Sequence, residues 1–273
     1  MSTDYIDGEV GRLAIHDLGG EGPATLIVAH ATGFLGQVYR AMANELNDVA
    51  HIVALDFRAH GDSDAPANDD DFAWTGMVDD LLRVVDHISA DVLHAFGHSM
   101  GGAAVLGAEL DRPGTFRSIL VFEPIVPPGK FAGESAIAAA ARMRTRTFSN
   151  RAAVLERYSS RPPLGLFRAD VLFDYVTHGF TDHEDGVTLK CTPENEAATF
   201  GGAGSIRLDQ LTALPTPVTV AKSGDGGLPA QLVDPIVNTL PNATLLHFDD
   251  VTHFGPLQEP VGVANAIRAL IES

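Results

Sequence analysis

Short apolar runs that end in polar or glycine-rich residues recur along the chain, and amphipathic stretches separate several of them. The runs are rich in Val, Ile and Leu and apolar on both faces, which is typical of buried parallel strands. They cover residues 25–30, 51–56, 92–97, 118–123, 218–223 and 244–248. Residues 77–88 place Met77, Leu81 and Val84 on one helical face, and residues 261–271 have a similar apolar face. This alternation predicts an α/β sheet with helices on both sides, and residues 8–18 predict an antiparallel start.

The alternation stops between residues 127 and 211. This stretch shows no convincing strand, and its pattern predicts short helices at 151–158, 169–178 and 193–200. We interpret it as a helical cap, residues 127–211, inserted into a core made of residues 1–126 and 212–273. The alternative is a loop-rich dimerisation arm, which would make the protein a homodimer.

Length, charge and cysteine content exclude several classes. A chain of 273 residues with 45% hydrophobic residues can form one large domain with a sizeable core. Its net charge of -18 would repel phosphate backbones and anionic lipids, so we expect neither nucleic acid nor membrane as partner. The lone Cys191 cannot form an internal disulfide. The first residues lack a basic start and an apolar run, so a cytoplasmic location is expected.

Residues 97–102 read Gly-His-Ser-Met-Gly-Gly, and they follow a predicted strand and open a predicted helix. The Gly-x-Ser-x-Gly spacing predicts a nucleophile elbow, in which a strained turn pushes Ser99 out of the sheet. Glycine two positions to either side removes a Cβ that would collide there. The backbone N–H of Met100 would then lie at a helix N-terminus and could bind an oxyanion.

With three further segments in the same order, the sequence resembles the α/β-hydrolase superfamily, close to its esterase- and lactonase-like members. Residues 30–34 resemble the family's His-Gly loop, residues 56–63 resemble its Asp-x-Arg-Gly-His-Gly-x-Ser turn, and residues 252–256 follow the last strand where the family keeps its histidine. The resemblance implies a mostly parallel eight-stranded sheet with a helical cap after the sixth strand. It also implies Ser99 as nucleophile and His253 as its general base.

The carboxylate that should orient His253 has two candidates. Most of the family places an aspartate beyond the seventh strand, but counting from Ser223 or Gly224 reaches a glycine here, and Asp225 comes too early. Glu123 ends the sixth strand, where some relatives, certain haloalkane dehalogenases among them, carry this acid. A glutamate at the end of an apolar strand needs a partner, and His253 would supply one. We therefore favour Glu123 and keep Asp225 as the alternative.

The oxyanion hole requires two donors. Met100 N–H is the first candidate. The family's His-Gly pair is replaced by His-Ala here, so the second donor depends on the loop length. Thr32 occupies the donor position if that length is kept, and Gly33 and Phe34 remain alternatives.

A Ser-His-acid site with two backbone donors is suited to acyl transfer to water. We expect a small carboxylic ester or lactone as substrate and no cofactor or metal. The alternatives are carbon–carbon cleavage of a dienoate, cofactor-free perhydrolysis and a non-catalytic binding protein that has kept the fold. Carbon–carbon cleavage usually needs a cap site for a carboxylate, for which the cap offers Arg142, Arg144, Arg146, Arg151, Arg157, Arg161 and Arg168.

Apolar cap residues are expected to roof the pocket or to form the cap's own core. The candidates are Phe131, Met143, Phe148, Tyr158, Leu164, Leu166, Phe167, Phe173 and Tyr175.

Overall fold

The computed structural model describes residues 2–129 and 135–273. Its strands are β1 (Ser2–Asp7), β2 (Arg12–Gly19), β3 (Ala24–Ala29), β4 (Ala50–Leu55), β5 (Leu93–His98), β6 (Ser118–Phe122), β7 (Thr147–Phe148), β8 (Phe180–His183), β9 (Gly186–Leu189), β10 (Val218–Ser223) and β11 (Ala243–Phe248). Its helices are α1 (Arg40–Asn44), α2 (Trp74–Ile88), α3 (Met100–Asp111), α4 (Ala136–Arg142), α5 (Arg151–Ser159), α6 (Ala169–His178), α7 (Pro193–Gly201), α8 (Leu228–Thr239), α9 (Gly255–Gln258) and α10 (Pro260–Ile271).

Eight strands form one sheet in the order β1-β2-β4-β3-β5-β6-β10-β11. In this order, every neighbouring pair from β4 through β11 is parallel. At the other edge, β1 pairs with β2 and β2 pairs with β4 in the antiparallel direction. The predicted α/β-hydrolase fold is therefore confirmed. Because parallel strands end at the same edge, the loops after β3, β5, β6, β10 and β11 meet there, which is where ligands bind in open α/β sheets.

Two apolar clusters cover the faces of this sheet and explain the double-sided hydrophobicity of its strands. In β3, Leu26 and Val28 pack into one cluster, whereas Ile27 packs into the other with Met77 of α2. Successive strand side chains point to opposite faces, so a strand covered on both sides has to be apolar at every position.

The structure has the three helices predicted within residues 127–211, and it adds a helix and three strands that the pattern did not predict. Helices α5, α6 and α7 match the expected positions, whereas α4 precedes them and β7, β9 and β8 form a small antiparallel sheet. These strands are only two to four residues long, and β8 exposes Thr181, Asp182 and His183. Such strands lack the apolar run that identifies a buried strand. The boundaries at residues 127 and 211 stay a prediction.

Polar contacts attach the cap to the core. Arg40 Nε donates to Asp174 Oδ2 at 3.0 Å, and Lys190 Nζ donates to Asp62 Oδ1 at 2.5 Å. Trp74 Nε1 donates to the carbonyl of Thr199 at 2.7 Å. Within residues 2–129 and 135–273, no helix combines the length and apolarity that crossing a membrane requires.

Candidate active site

Ser99 occupies the sharp turn between β5 and α3. Its φ of 56° and ψ of -114° are unusual for a residue with a side chain, and such strain is stored preferentially at functional sites. Its N–H donates to the carbonyl of Phe122 at 3.0 Å, and its carbonyl accepts from Ile125 N–H at 3.3 Å. Two backbone contacts to the end of β6 therefore hold the turn.

The glycines of this turn are required by close backbone packing. A Cβ built on Gly97 would lie 2.6 Å from the Cα of Gly102, and one on Gly101 would lie 2.1 Å from the carbonyl oxygen of Ala29. Real Cβ atoms do not approach so closely. The helix therefore begins pressed against the end of β3, and this brings Met100 next to the loop at residues 30–34.

His253 lies in the loop between β11 and α9 and contacts Glu123 directly. His253 Nδ1 and Glu123 Oε2 are 2.7 Å apart, the second carboxylate oxygen accepts from Ser223 N–H at 2.7 Å, and the glutamate is fully buried. Glu123 has a φ of 43°, a second strained residue at the same sheet edge. A buried carboxylate that binds Nδ1 holds the proton on that nitrogen and leaves Nε2 as the base.

Asp225, the alternative acid, contacts the backbone of His253 and not its ring. Its Oδ2 accepts from His253 N–H at 3.0 Å, while Oδ1 accepts from Gly227 N–H at 2.9 Å and Ser223 Oγ at 3.1 Å. Burial works against the charged form, but these donors outweigh it and lower the pKa of Asp225. Asp225 is therefore placed to hold the histidine loop, whereas Glu123 is placed to orient the imidazole.

A hydrogen-bonded chain links the three loops of the site. Ala31 N–H donates to Tyr39 Oη at 3.3 Å, and Tyr39 Oη is 2.8 Å from His98 Nδ1. His98 Nε2 lies 2.8 Å from the carbonyl oxygen of His253, to which it must donate. Nδ1 is then the acceptor of the tyrosine proton. Burial lowers the pKa of His98 well below its usual value, which keeps the ring neutral and this pattern intact.

The rings of His98 and His253 lie 5.1 Å apart, so the catalytic candidate His253 stands beside the Ser99 turn. Ser99 Oγ itself hydrogen-bonds to none of the described residues. Catalytic hydrogen bonds between nucleophile and base often tighten only when substrate binds. The sequence gives no sign of the role of Tyr39, because no motif or periodicity marks a single tyrosine after the loop.

The loop at residues 30–34 limits which donors are free for an oxyanion. Phe34 N–H donates to the carbonyl of Ala31 at 3.1 Å, and Ala31 N–H binds Tyr39, so neither is available. The N–H groups of Thr32 and Gly33 bind no carbonyl among the described residues. Thr32 Oγ1 also contacts Met100 Sδ at 3.3 Å, which brings Thr32 against the residue that carries the other candidate donor.

Aromatic side chains from core and cap meet above this loop. Phe34 lies 5.3 Å from the Tyr175 ring and 5.7 Å from the Phe167 ring, and Phe167 lies 5.6 Å from Phe254, the neighbour of His253. Two of the expected roof residues therefore reach the site. Others do not, since Met143 is 85% exposed and Leu166 and Phe173 are also exposed. Phe131 lies outside the described residues.

One cluster in the described chain has the composition of a metal site. Ligand atoms of His16, Asp56 and Asp62 lie within 4.8 Å of one another. The Asp56 carboxylate already accepts from Gly36 N–H at 2.7 Å, Asp62 N–H at 2.8 Å and His16 Nε2 at 2.8 Å. Asp62 is bound to Lys190. We therefore interpret the cluster as the anchor of the turn after β4.

The chain matches the model of the alpha/beta hydrolase family over residues 26–266, and it belongs to that family. The match includes all three side chains of the Ser99, His253 and Glu123 arrangement.

Individual relatives differ in what they act on. A protein named "Putative carbamate hydrolase RutD" from Pseudomonas syringae pv. syringae is 25% identical over 91% of this chain and 94% of its own length. The chain spans less than half the length of three other curated relatives, covering 44%, 32% and 24% of them.

Two solved structures share the fold over nearly the whole chain. The match with the crystal structure of E-2-(acetamidomethylene)succinate hydrolase covers 100% of this chain and 99% of that chain, with a TM-score of 0.79 and 19% identity. N-acyl homoserine lactonase AidH has a TM-score of 0.72 and 18% identity, with 100% and 97% coverage. At these identities the structural matches show the fold.

Proposed function

We propose that this hydrolase cleaves a carboxylic ester or lactone through an acyl-enzyme formed on Ser99. The observation that carries the proposal is the buried contact of 2.7 Å between Glu123 Oε2 and His253 Nδ1, beside a strained serine at the start of a helix. A serine hydroxyl is a weak nucleophile until a neighbouring imidazole accepts its proton, and that imidazole needs a carboxylate to hold the correct tautomer.

In the first step Ser99 Oγ attacks the substrate carbonyl carbon and its proton moves to His253 Nε2. The negative charge on the carbonyl oxygen is bound by Met100 N–H and by the free N–H of Thr32. Collapse of this intermediate breaks the bond to the alkoxide, which takes the proton from His253. Water then attacks the acyl carbon and gives a proton to His253 Nε2. The second intermediate collapses by breaking the bond to Ser99 Oγ, which takes the proton back from His253 and releases the carboxylic acid. The Glu123 carboxylate lies against the imidazolium and stabilises it.

Four of the seven arginines that the sequence offers for a dienoate carboxylate are already paired, which favours ester cleavage over carbon–carbon cleavage. Arg144 is paired with Glu196, Arg146 with Glu194, Arg151 with Asp182 and Arg168 with Asp170. Each guanidinium in this group already has a carboxylate of its own. A dienoate carboxylate would have to compete with these pairs for its counter-ion.

Hydrolysis of p-nitrophenyl esters of increasing acyl length tests the proposal, with Ser99→Ala as the control. We expect turnover by the wild type and a loss of at least about 10³-fold in the variant. Labelling by a fluorophosphonate probe should be lost in parallel, because it needs the activated hydroxyl.

The two readouts separate the alternatives. Failure of the probe to label Ser99 would contradict the proposal and favour a non-catalytic protein. Labelling without hydrolysis of any ester or lactone would point to carbon–carbon cleavage. Turnover that requires hydrogen peroxide would identify a perhydrolase.

A further inference from the structure

Four polar side chains of the cap meet directly beside the oxyanion loop. Arg144 Nη1 donates to Glu196 Oε2 at 2.5 Å, and Arg144 Nη2 donates to Tyr175 Oη at 2.9 Å and Tyr158 Oη at 3.5 Å. The arginine follows α4, and its partners come from α7, α6 and α5. A buried ion pair contributes little net stability compared with apolar packing, so its presence here calls for another explanation.

This cluster touches the oxyanion loop at Gly33. A Cβ built on Gly33 would lie 2.4 Å from Glu196 Oε1 and 3.4 Å from Arg144 Nη1, and Tyr175 Oη donates to the Gly33 carbonyl at 3.2 Å. Gly33 follows Thr32, the candidate oxyanion donor, and neighbouring Cα atoms are about 3.8 Å apart. The Glu196 carboxylate therefore lies against the residue that directly follows the candidate oxyanion donor.

Glu196 keeps unused hydrogen-bonding capacity on the side that faces Gly33. Oε2 accepts from Arg144, but Oε1 accepts a hydrogen bond from none of the described residues. The side chain of Glu196 is 9% exposed and that of Arg144 is 23% exposed. Glu196 Oε1 is not one of the fully buried atoms that lack a partner, so water or a ligand can reach it. A ligand N–H or O–H would give this oxygen the donor that no described residue supplies.

We propose that Glu196 and Arg144 form a subsite for a neutral hydrogen-bond donor, an amide N–H or a hydroxyl, on the acyl part of the substrate. This inference rests on the proposed function. The acyl part is chosen because its carbonyl oxygen is the atom bound by the adjacent loop, and the acyl group stays there in both steps.

Neither a carboxylate nor a plain alkyl chain on the acyl group would fit this cluster. A carboxylate would find Arg144 already neutralised and would be repelled by Glu196 Oε1. A plain alkyl chain would cover Oε1 without giving it a donor. A site built to hydrogen-bond a substrate N–H or O–H rejects the analogue that lacks it, because its own buried group is then left unpaired.

Three p-nitrophenyl esters test the subsite in the wild-type protein: those of N-acetylglycine, N-acetylsarcosine and 4-oxopentanoic acid. At one position of the same chain they carry N–H, N–CH3 and CH2. Each kcat/KM is divided by the rate of the same ester with hydroxide alone, which removes the difference in intrinsic reactivity. We expect the N-acetylglycine ester to exceed the other two by about 10- to 100-fold.

Glu196→Gln separates this role from a structural one, and Glu194→Gln is its matched control. Arg144 requires an acceptor, so the amide oxygen would face it, and the NH2 group would replace Oε1 by a donor. We expect the ratio of kcat/KM for the N-acetylglycine ester to that for the 4-oxopentanoate ester to fall to about the ratio of the hydroxide reaction. Glu194 lies on the same helix, is 65% exposed and pairs with Arg146 at 3.8 Å, so its variant should keep the preference.

The outcomes distinguish this inference from the function on which it rests. Hydrolysis of all three esters that depends on Ser99, without a preference in the wild type, would overturn the subsite and leave the esterase intact. So would a preference that survives in Glu196→Gln. If none of the three is hydrolysed while simple p-nitrophenyl esters are, the subsite fails and the esterase stands. If no ester or lactone is hydrolysed, the proposed function fails and the subsite fails with it. The wild-type comparison stands even if Glu196→Gln does not fold.

Discussion

Replacing Glu123 by glutamine should reduce kcat by about 10³- to 10⁴-fold, the loss that follows when the orienting acid of a triad becomes an amide. The structure explains why the protein cannot adapt to this change. Glu123 Oε1 accepts from Ser223 N–H at 2.7 Å, and Oε2 binds His253 Nδ1 at 2.7 Å. Both neighbours require an acceptor, and glutamine has only one acceptor oxygen.

The amide oxygen should turn towards the backbone N–H of Ser223, because that group can only donate a hydrogen bond. The imidazole, in contrast, can carry its proton on either ring nitrogen. The NH2 group then faces His253 Nδ1, which has to accept, and the imidazole proton moves to Nε2. In this tautomer Nε2, the nitrogen proposed as the base for Ser99, is a donor and cannot accept a proton. The loss should therefore fall on kcat, with KM little changed.

Asp225→Asn is the matched comparison. Asp225 Oδ1 accepts from Gly227 N–H, and Oδ2 accepts from the backbone N–H of His253. In the asparagine variant the amide oxygen can still accept from Gly227, and one hydrogen bond to the histidine loop is lost. One such bond contributes about 1 kcal/mol, and we expect a loss of less than about tenfold.

Both variants would be assayed with the p-nitrophenyl ester that the wild type hydrolyses best, together with fluorophosphonate labelling and thermal unfolding. Melting temperatures close to that of the wild type would show that kcat reports the site and not unfolding. The reverse ranking, with Asp225→Asn inactive and Glu123→Gln retaining a tenth of the activity or more, would refute the assignment.

Two further predictions concern the frame of the site. Gly101→Ala should destabilise the protein by about 3 kcal/mol and abolish labelling of Ser99, because the new Cβ would lie 2.1 Å from the Ala29 carbonyl. Gly201→Ala, where nothing lies within 4 Å, is the control, and equal melting temperatures of the two variants would contradict this reasoning. Acid should also weaken the fold, because burial lowers the pKa of His60 from 6.5 to about 3. The folded state then binds fewer protons than the unfolded state below pH 6.5, so stability falls as the pH falls. At about 1.4 kcal/mol per pH unit, His60 alone lowers the free energy of unfolding by about 2 kcal/mol between pH 6.5 and about 5. Urea unfolding at both pH values measures this difference. An unchanged free energy of unfolding would contradict it.

Local patterns were sufficient to predict the large sheet and the elbow. The structure places strand β3 at Ala24–Ala29, one residue from the predicted range 25–30. The prediction works because a strand buried on both faces leaves a continuous apolar run in the sequence. The glycines around Ser99 carry equally local information, because the sterics of the turn act within a few residues. Glu123 could be selected because an acid ending an apolar strand needs a partner, although its contact with His253 joins residues far apart in sequence.

The missed features depend on contacts between distant segments. Cap strand β8 is mostly polar and short, so nothing in its own sequence separates it from a loop. Glu196 looks like an ordinary residue of an amphipathic helix, and only the packing of the cap places its carboxylate against Gly33. Sequence alone therefore determined the α/β sheet, the family and the candidate nucleophile, since those depend on local periodicity and turn sterics. Tertiary structure alone decided which carboxylate meets the His253 ring, how Tyr39 and His98 tie its loop, and what faces the oxyanion loop, because each depends on burial and hydrogen bonding across the fold.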